Sequence, residues 1–179
     1  MTDDGKRLYD AVKQVRTFFV EIARMLNDCD RLMSEQDWKS AGTASVSRSS
    51  ASINYAGKWL PHAINRIYTK EGSPHVTKVI AIILDDEWQN RVGQPVIVGS
   101  TYFTVDEKFI GFQGWEYTWW WLEDTDVVPD GQIKTITAQG RETKGFERFT
   151  DLKFFGWPIA EITNTDLIKD RVVDILVGI

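Results

Sequence analysis

Two groups of carboxylates, about twenty residues apart, are the side chains with the most chemical potential in this sequence. Asp85, Asp86 and Glu87 follow an apolar run ending at Leu84, and Asp106 and Glu107 precede Lys108. Carboxylates set at the ends of neighbouring strands can ligate a hard divalent cation through oxygen. With such an ion on Asp85, Asp86 and Asp106, Lys108 is placed to offset charge on a phosphoryl group or to hold the attacking water. The plainer account is that these charges solvate two turns. The aromatic stretch that follows offers recognition instead of catalysis. In an extended chain Trp115, Tyr117, Trp119 and Trp121 share one face, and Glu116, Thr118, Trp120 and Leu122 share the other. Such a row stacks on sugar rings, bases or a cationic group, and the nearby acids Glu116, Glu123, Asp124 and Asp126 favour the cation. Alternatively the row is a core face meeting Phe18, Phe19, Met25 and Leu26, with Trp120 turned toward a partner or a second layer.

The acidic pattern resembles that of nucleases in which an acidic residue precedes an acid-x-Lys triplet, here Asp106, Glu107 and Lys108. The resemblance covers a few residues only, and it implies a metal-dependent phosphoesterase. The triplet departs from that pattern by falling where a hairpin turn is expected, with no helix after it. Other chemistries find less support. His62 and His75 lack a third histidine or a cysteine at metal spacing, and are expected at the surface or in turns. No Gly-x-Ser-x-Gly elbow and no phosphate-binding glycine loop occurs. No cofactor motif is present, which leaves a divalent cation as the only candidate cofactor.

Charge bears on partners. The net charge of −5 is concentrated in residues 85–130, which carry ten acidic and two basic side chains. That segment repels a phosphate backbone, so nucleic-acid binding is not expected without a metal. Cys29, the single cysteine, has no intramolecular partner, the first residues are acidic rather than basic, and the longest apolar run, Val79–Leu84, is too short to span a bilayer. A cytoplasmic chain with no membrane contact is the expectation.

The elements that must position these residues begin with a long helix over residues 1–34. Apolar side chains fill three heptad columns: Leu8, Val15, Ile22 and Cys29; Ala11, Phe18, Met25 and Leu32; Val12, Phe19, Leu26 and Met33. They form one stripe about 100° wide, which is the pattern of a helix lying on a core. Its residues 6–33 alone span about 40 Å, as long as a domain of this size is wide. Either it crosses the whole body or one end projects and needs a partner.

Residues 40–52 hold six serines and one internal charge, and read as a flexible loop. Pro61, Ile64, Ile67, Tyr68 and Gly72 suggest a short helix, although Arg66–Tyr68 equally suits the start of a strand. Strands are expected over 76–84, 95–105 and 109–122, then at 133–138 after the Pro129-Asp130-Gly131 turn, and near 149–155. Asn164 or Thr165 caps a terminal helix over 164–177. Short links between strands leave no room for crossover helices.

The expected fold is therefore α+β: one domain over 1–179, with the long N-terminal helix on a mostly antiparallel meander sheet over 76–155 and a C-terminal helix. Eight tryptophans among 179 residues supply enough aromatic surface for a substantial core. Three readings of function stand. The leading one is a non-catalytic interaction or regulatory module that forms a homo-oligomer or binds a protein partner through the first helix and residues 109–126. The others are the metal-dependent phosphoesterase or nuclease, and a small-ligand binder with an aromatic-lined pocket.

Overall fold

A computed structural model describes residues 3–42, 45–47, 61–84, 93–104, 129–137 and 149–179. Helix α1 (Asp3–Ser34) is continuous, with Asp3 and Asp4 at the positive end of its dipole and Arg31 in its last turn. A Schellman motif stops it. The Trp38 N–H donates to Met33 O (3.0 Å) and the Asp37 N–H to Ser34 O (3.1 Å), with Asp37 in the left-handed region at φ 64°. Met33 and Trp38 then pack together in the core, the apolar contact that commonly accompanies this motif.

Seven strands among the described residues form one antiparallel sheet: β1 (Lys39–Ser40), β2 (Ser45–Ser47), β3 (Ala63–Thr69), β4 (Val76–Ile83), β5 (Val96–Thr104), β6 (Lys134–Thr137) and β7 (Phe149–Pro158). The sheet is six strands across, because β1 and β2 share the outer edge of β3; β3, β4 and β5 run as a meander, and β7 lies between β5 and β6. A 3₁₀ turn (Ile159–Glu161) leads to α2 (Thr165–Ile168), a π-helical turn (Lys169–Val173) and α3 (Asp174–Gly178). Asn164 caps this segment as expected, its Oδ1 accepting the Leu167 N–H at 2.9 Å. The π turn brings two consecutive valines, Val172 and Val173, into the core.

The α+β class is as the sequence predicts, and four strands fall where its pattern places them. Two local expectations change. Residues 63–69 are strand and not helix. The spacing of Ile64, Ile67 and Tyr68 suits a helical face, but pairing with β4 from Ala63↔Ile83 to Tyr68↔Lys78 prevails. Within 40–52, Ser40 belongs to β1 and Ser45–Ser47 form β2, so pieces of the expected loop pair with the edge of β3. The expected strand over 109–122 lies outside the described residues.

Strand register sorts the sheet into two faces. Ile64, Arg66 and Tyr68 on β3, Lys78, Ile80 and Ile82 on β4, and Ile97, Gly99 and Thr101 on β5 share one face. The second half of α1 and the C-terminal helical segment cover it, with Ile22, Leu26, Cys29, Leu32, Met33, Ile168, Val172 and Leu176 buried in a common cluster. Gly99 lies under the ring of Phe155, where a Cβ has no room. The opposite face, with Asn65, Val79, Ala81, Val98, Ser100, Tyr102, Leu152 and Phe154, is also buried. Its residues do not join the cluster beneath α1.

Candidate functional site

The apolar stripe of α1 meets two different environments. From Ile22 onward it is buried in the body, but no side chain from Asp3 to Glu21 is. Leu8 is 69% exposed, and Tyr9, Val12, Val15, Phe18 and Val20 are exposed as well. The fifteen residues before Phe18, about 22 Å of helix, thus project from the domain with their apolar columns uncovered, while Phe19 packs against the core. A helix of this length with no tertiary contact is only marginally stable in water, and Val12, Val15, Thr17 and Val20 add the χ1 cost of β-branching. The Phe18 and Phe19 rings meet edge to face, their centroids 5.8 Å apart, at the point where the helix enters the body.

A cleft of about 500 Å³ opens at this root. The stripe supplies Phe18, Ile22 and Met25 to one wall, and Ile159, Ile162 and Ile168 form the other. Its rim is polar: Asp28 accepts a hydrogen bond from the Thr165 hydroxyl at 2.9 Å, which ties the walls together. Ion pairs line one edge of the projecting helix, Arg7 with Asp3 at 3.4 Å and Arg24 with Glu21 at 2.6 Å. All four side chains are largely solvated, so these pairs contribute little within one copy.

Inside the body, polar groups fasten α1 to the sheet. Arg66 of β3 donates to both carboxylate oxygens of Asp30, and Tyr68 Oη donates to Asp30 Oδ1 at 2.8 Å. The hydrogen bonds it donates to Asp30 hold the Arg66 guanidinium above its ordinary range. Burial, then the charges near it, raises the Tyr68 phenol well above its ordinary value, and burial beside Asp30 and Asp28 pushes the Cys29 thiol up to about 12. Cys29 is thus an inert core side chain. Lys78 of β4, 2% exposed, directs its ammonium to Leu176 O (2.5 Å), Thr101 Oγ1 (3.2 Å) and Ile179 O (3.3 Å), with the Trp38 ring centroid 4.8 Å away. Burial, with the like charge of Lys153 as a smaller cause, pulls it down to about 8. These groups are closed off by their partners and present nothing to a substrate.

The sequence-predicted site residues Asp85, Asp86, Asp106 and Lys108 lie outside the described residues, as do Trp115, Tyr117, Trp119, Trp120 and Trp121. The strand ends flanking the two acidic groups are described. Leu84 follows Ile83, which pairs with Val96 at the start of β5, whereas Thr104 closes the other end of β5. These flanking points stand about 30 Å apart along the strand direction. Of the histidines, His75 is exposed before β4 as expected, but His62 is buried at the start of β3. Among the described residues, no group of three or more His, Cys, Asp or Glu side chains is arranged to hold a metal ion. No described helix is long and apolar enough to cross a membrane.

No protein-family model matches the chain, and neither a curated protein nor a solved structure does. Function must therefore be argued from the described geometry, in which the exposed apolar stripe runs into a cleft with apolar walls. The stripe itself is legible in the sequence. Which half of it the body covers depends on where the C-terminal segment docks, and no local pattern encodes that.

Proposed function

We propose that the protein is a non-catalytic interaction module that self-associates through the projecting half of α1. The observation that carries this reading is the exposure of Leu8, Val12, Val15 and Phe18 along one unbroken helix face. A monomer gains nothing from keeping these side chains apolar. A partner that covers them recovers about 25 cal/mol per Å² and stabilises an otherwise marginal helix. The phosphoesterase reading has less support, because the strands lead into the two acidic groups from opposite ends of the β4–β5 pair.

Sedimentation of the full chain tests the proposal. Wild type is expected to shift from monomer to dimer with concentration, and Val15→Glu to stay monomeric, losing some helical circular dichroism from the uncovered part of α1 while the body keeps its cooperative unfolding, since Val15 is 41% exposed and supports no core contact. A wild-type chain that is monomeric at every concentration would refute the reading.

Small-ligand binding is a second reading with an observation of its own. Asn65 and Ser100, 1% and 0% exposed on the sheet face away from α1, make no side-chain hydrogen bond among the described residues. Buried polar groups are normally partnered, so a ligand with a donor and an acceptor suits them. Native mass spectrometry of the purified chain tests it: a bound small molecule lost in Asn65→Leu supports this reading, and a bare protein mass removes it.

A further inference from the structure

The pairs Asp3–Arg7 and Glu21–Arg24 occupy the same edge of the helix at its two ends, each with the acid before the base, so that reversing one copy sets acid against base. From the N-terminus the charged positions of this edge read Asp3, Arg7, Asp10, then the neutral Gln14 and Thr17, then Glu21 and Arg24. We infer that two copies pair through this helix in antiparallel orientation, with the two-fold axis near Lys13 and Gln14 and the partner's first turns seated at the root cleft. The inference rests on the self-association proposed above and specifies its geometry.

In that orientation Arg7 faces the partner's Glu21, and Asp3 lies beside the partner's Arg24. The two pairs within each copy thereby join into alternating four-charge groups, one at each end of the joint. Gln14 meets the partner's Gln14, and no like charges oppose each other along the edge. The apolar columns match as well, with Leu8 opposite the partner's Phe18 and Phe19, and Val12 opposite the partner's Val15. A parallel pair gives a poorer fit. It sets Arg7, Gln14 and Glu21 against the partner's apolar column of Val12, Phe19 and Leu26, leaving the charges without partners across the joint.

Area supports the same arrangement. Overlap of residues 3–24 makes a joint about 33 Å long between cylinders about 11 Å across, which removes roughly 500 Å² per copy from water. The total of about 1,000 Å² is near the lower limit for a specific interface. The cleft extends it. Opposite Phe18 and Ile22, the partner's Leu8 reaches the mouth of the 500 Å³ space that Met25, Ile159, Ile162 and Ile168 line. The interface is isologous, so each copy gives its helix tip and receives the other's.

Dipolar distance measurement between spin labels on the full chain tests the orientation. Lys6→Cys and Lys13→Cys, labelled separately, both lie on the solvent side of the helix, and the buried Cys29 stays unlabelled. The antiparallel pair puts an axial offset of about 22 Å between the two labels at position 6 and under about 2 Å between those at 13. The position-6 distance should then be clearly the longer. Equal distances at the two positions, in a chain that sediments as a dimer, overturn the orientation and leave self-association standing. The absence of any dipolar coupling, with a monomeric sedimentation profile, overturns both. Charge reversal gives a second readout. Arg7→Glu and Glu21→Arg should each weaken their own homodimer about tenfold, and an equimolar mixture of the two should pair preferentially as the heterodimer. An equal affinity of all three combinations also overturns the inference.

Discussion

Replacing Lys78 by Met removes an ammonium buried between the sheet and the C-terminal helical segment, and the effect on stability should depend on pH with a defined sign. The folded-state value of Lys78 is about 8, against 10.5 for the unperturbed side chain, because burial disfavours the charged form. Below pH 8 both the folded and unfolded chains carry the proton, and the full penalty for burying the charge is present. Between about 8 and 10.5 the folded chain releases the proton first, so stability rises with pH in that window. The whole shift corresponds to about 3 kcal/mol, of which about 2 kcal/mol should be recovered between pH 7 and pH 9.5. The raised Cys29 thiol acts in the opposite sense: its contribution is complete below pH 9 and is lost as pH rises toward about 12. It does so equally in wild type and variant, and cancels in their difference. Urea denaturation followed by circular dichroism across pH 7–9.5 measures that difference. Wild type should gain about 2 kcal/mol on Lys78→Met over the interval. A difference flat within about 0.5 kcal/mol would show that hydrogen bonds to Leu176 O and Ile179 O offset the burial of the charge completely.

Two further substitutions examine how the body holds α1. Asp30→Asn leaves the Arg66 guanidinium without its charge partner and should cost about 2–4 kcal/mol in chemical denaturation; a loss under about 0.5 kcal/mol would mean that solvent supports Arg66 as well as Asp30 does. Gly99→Ala puts a methyl group into the space of the Phe155 ring and should cost about 1–3 kcal/mol, and pairing it with Phe155→Leu should return part of that loss.

How far the sequence discloses this structure differs from segment to segment. The three filled columns of α1 define a helix because no other element makes a stripe of that period, and the β-branched run Val76–Ile83 defines a strand buried on both faces. Asn164 marks a helix start through the bond its side chain makes three residues on. Residues 63–69 mislead because Ile64, Ile67 and Tyr68 satisfy both periods, and only pairing with β4 decides between them. Lys78 interrupts an apolar strand with no local sign that carbonyls of the C-terminal segment await its ammonium. The exposure of Leu8 to Phe18 was half legible: the helix is too long for the body, but the sequence does not state which end projects. The acidic and aromatic candidates at 85–87, 106–108 and 115–121 lie outside the described residues and keep the standing that residue type and spacing give them.

The path of the chain through its core has a consequence for synthesis. The buried half of α1 is covered by Ile168, Val172, Val173 and Leu176, which follow it by about 130 residues. At about 5–20 residues per second, roughly 7–26 s pass between the emergence of the helix from a ribosome and the arrival of the segment that encloses it. Throughout that interval the part of the stripe that Ile168, Val172 and Leu176 will cover stays open on the nascent chain, beside the exposed half from Leu8 to Phe18. Neighbouring ribosomes on one message then hold unfinished helices close together, and the half that the finished body never covers is free to find its twin before translation ends.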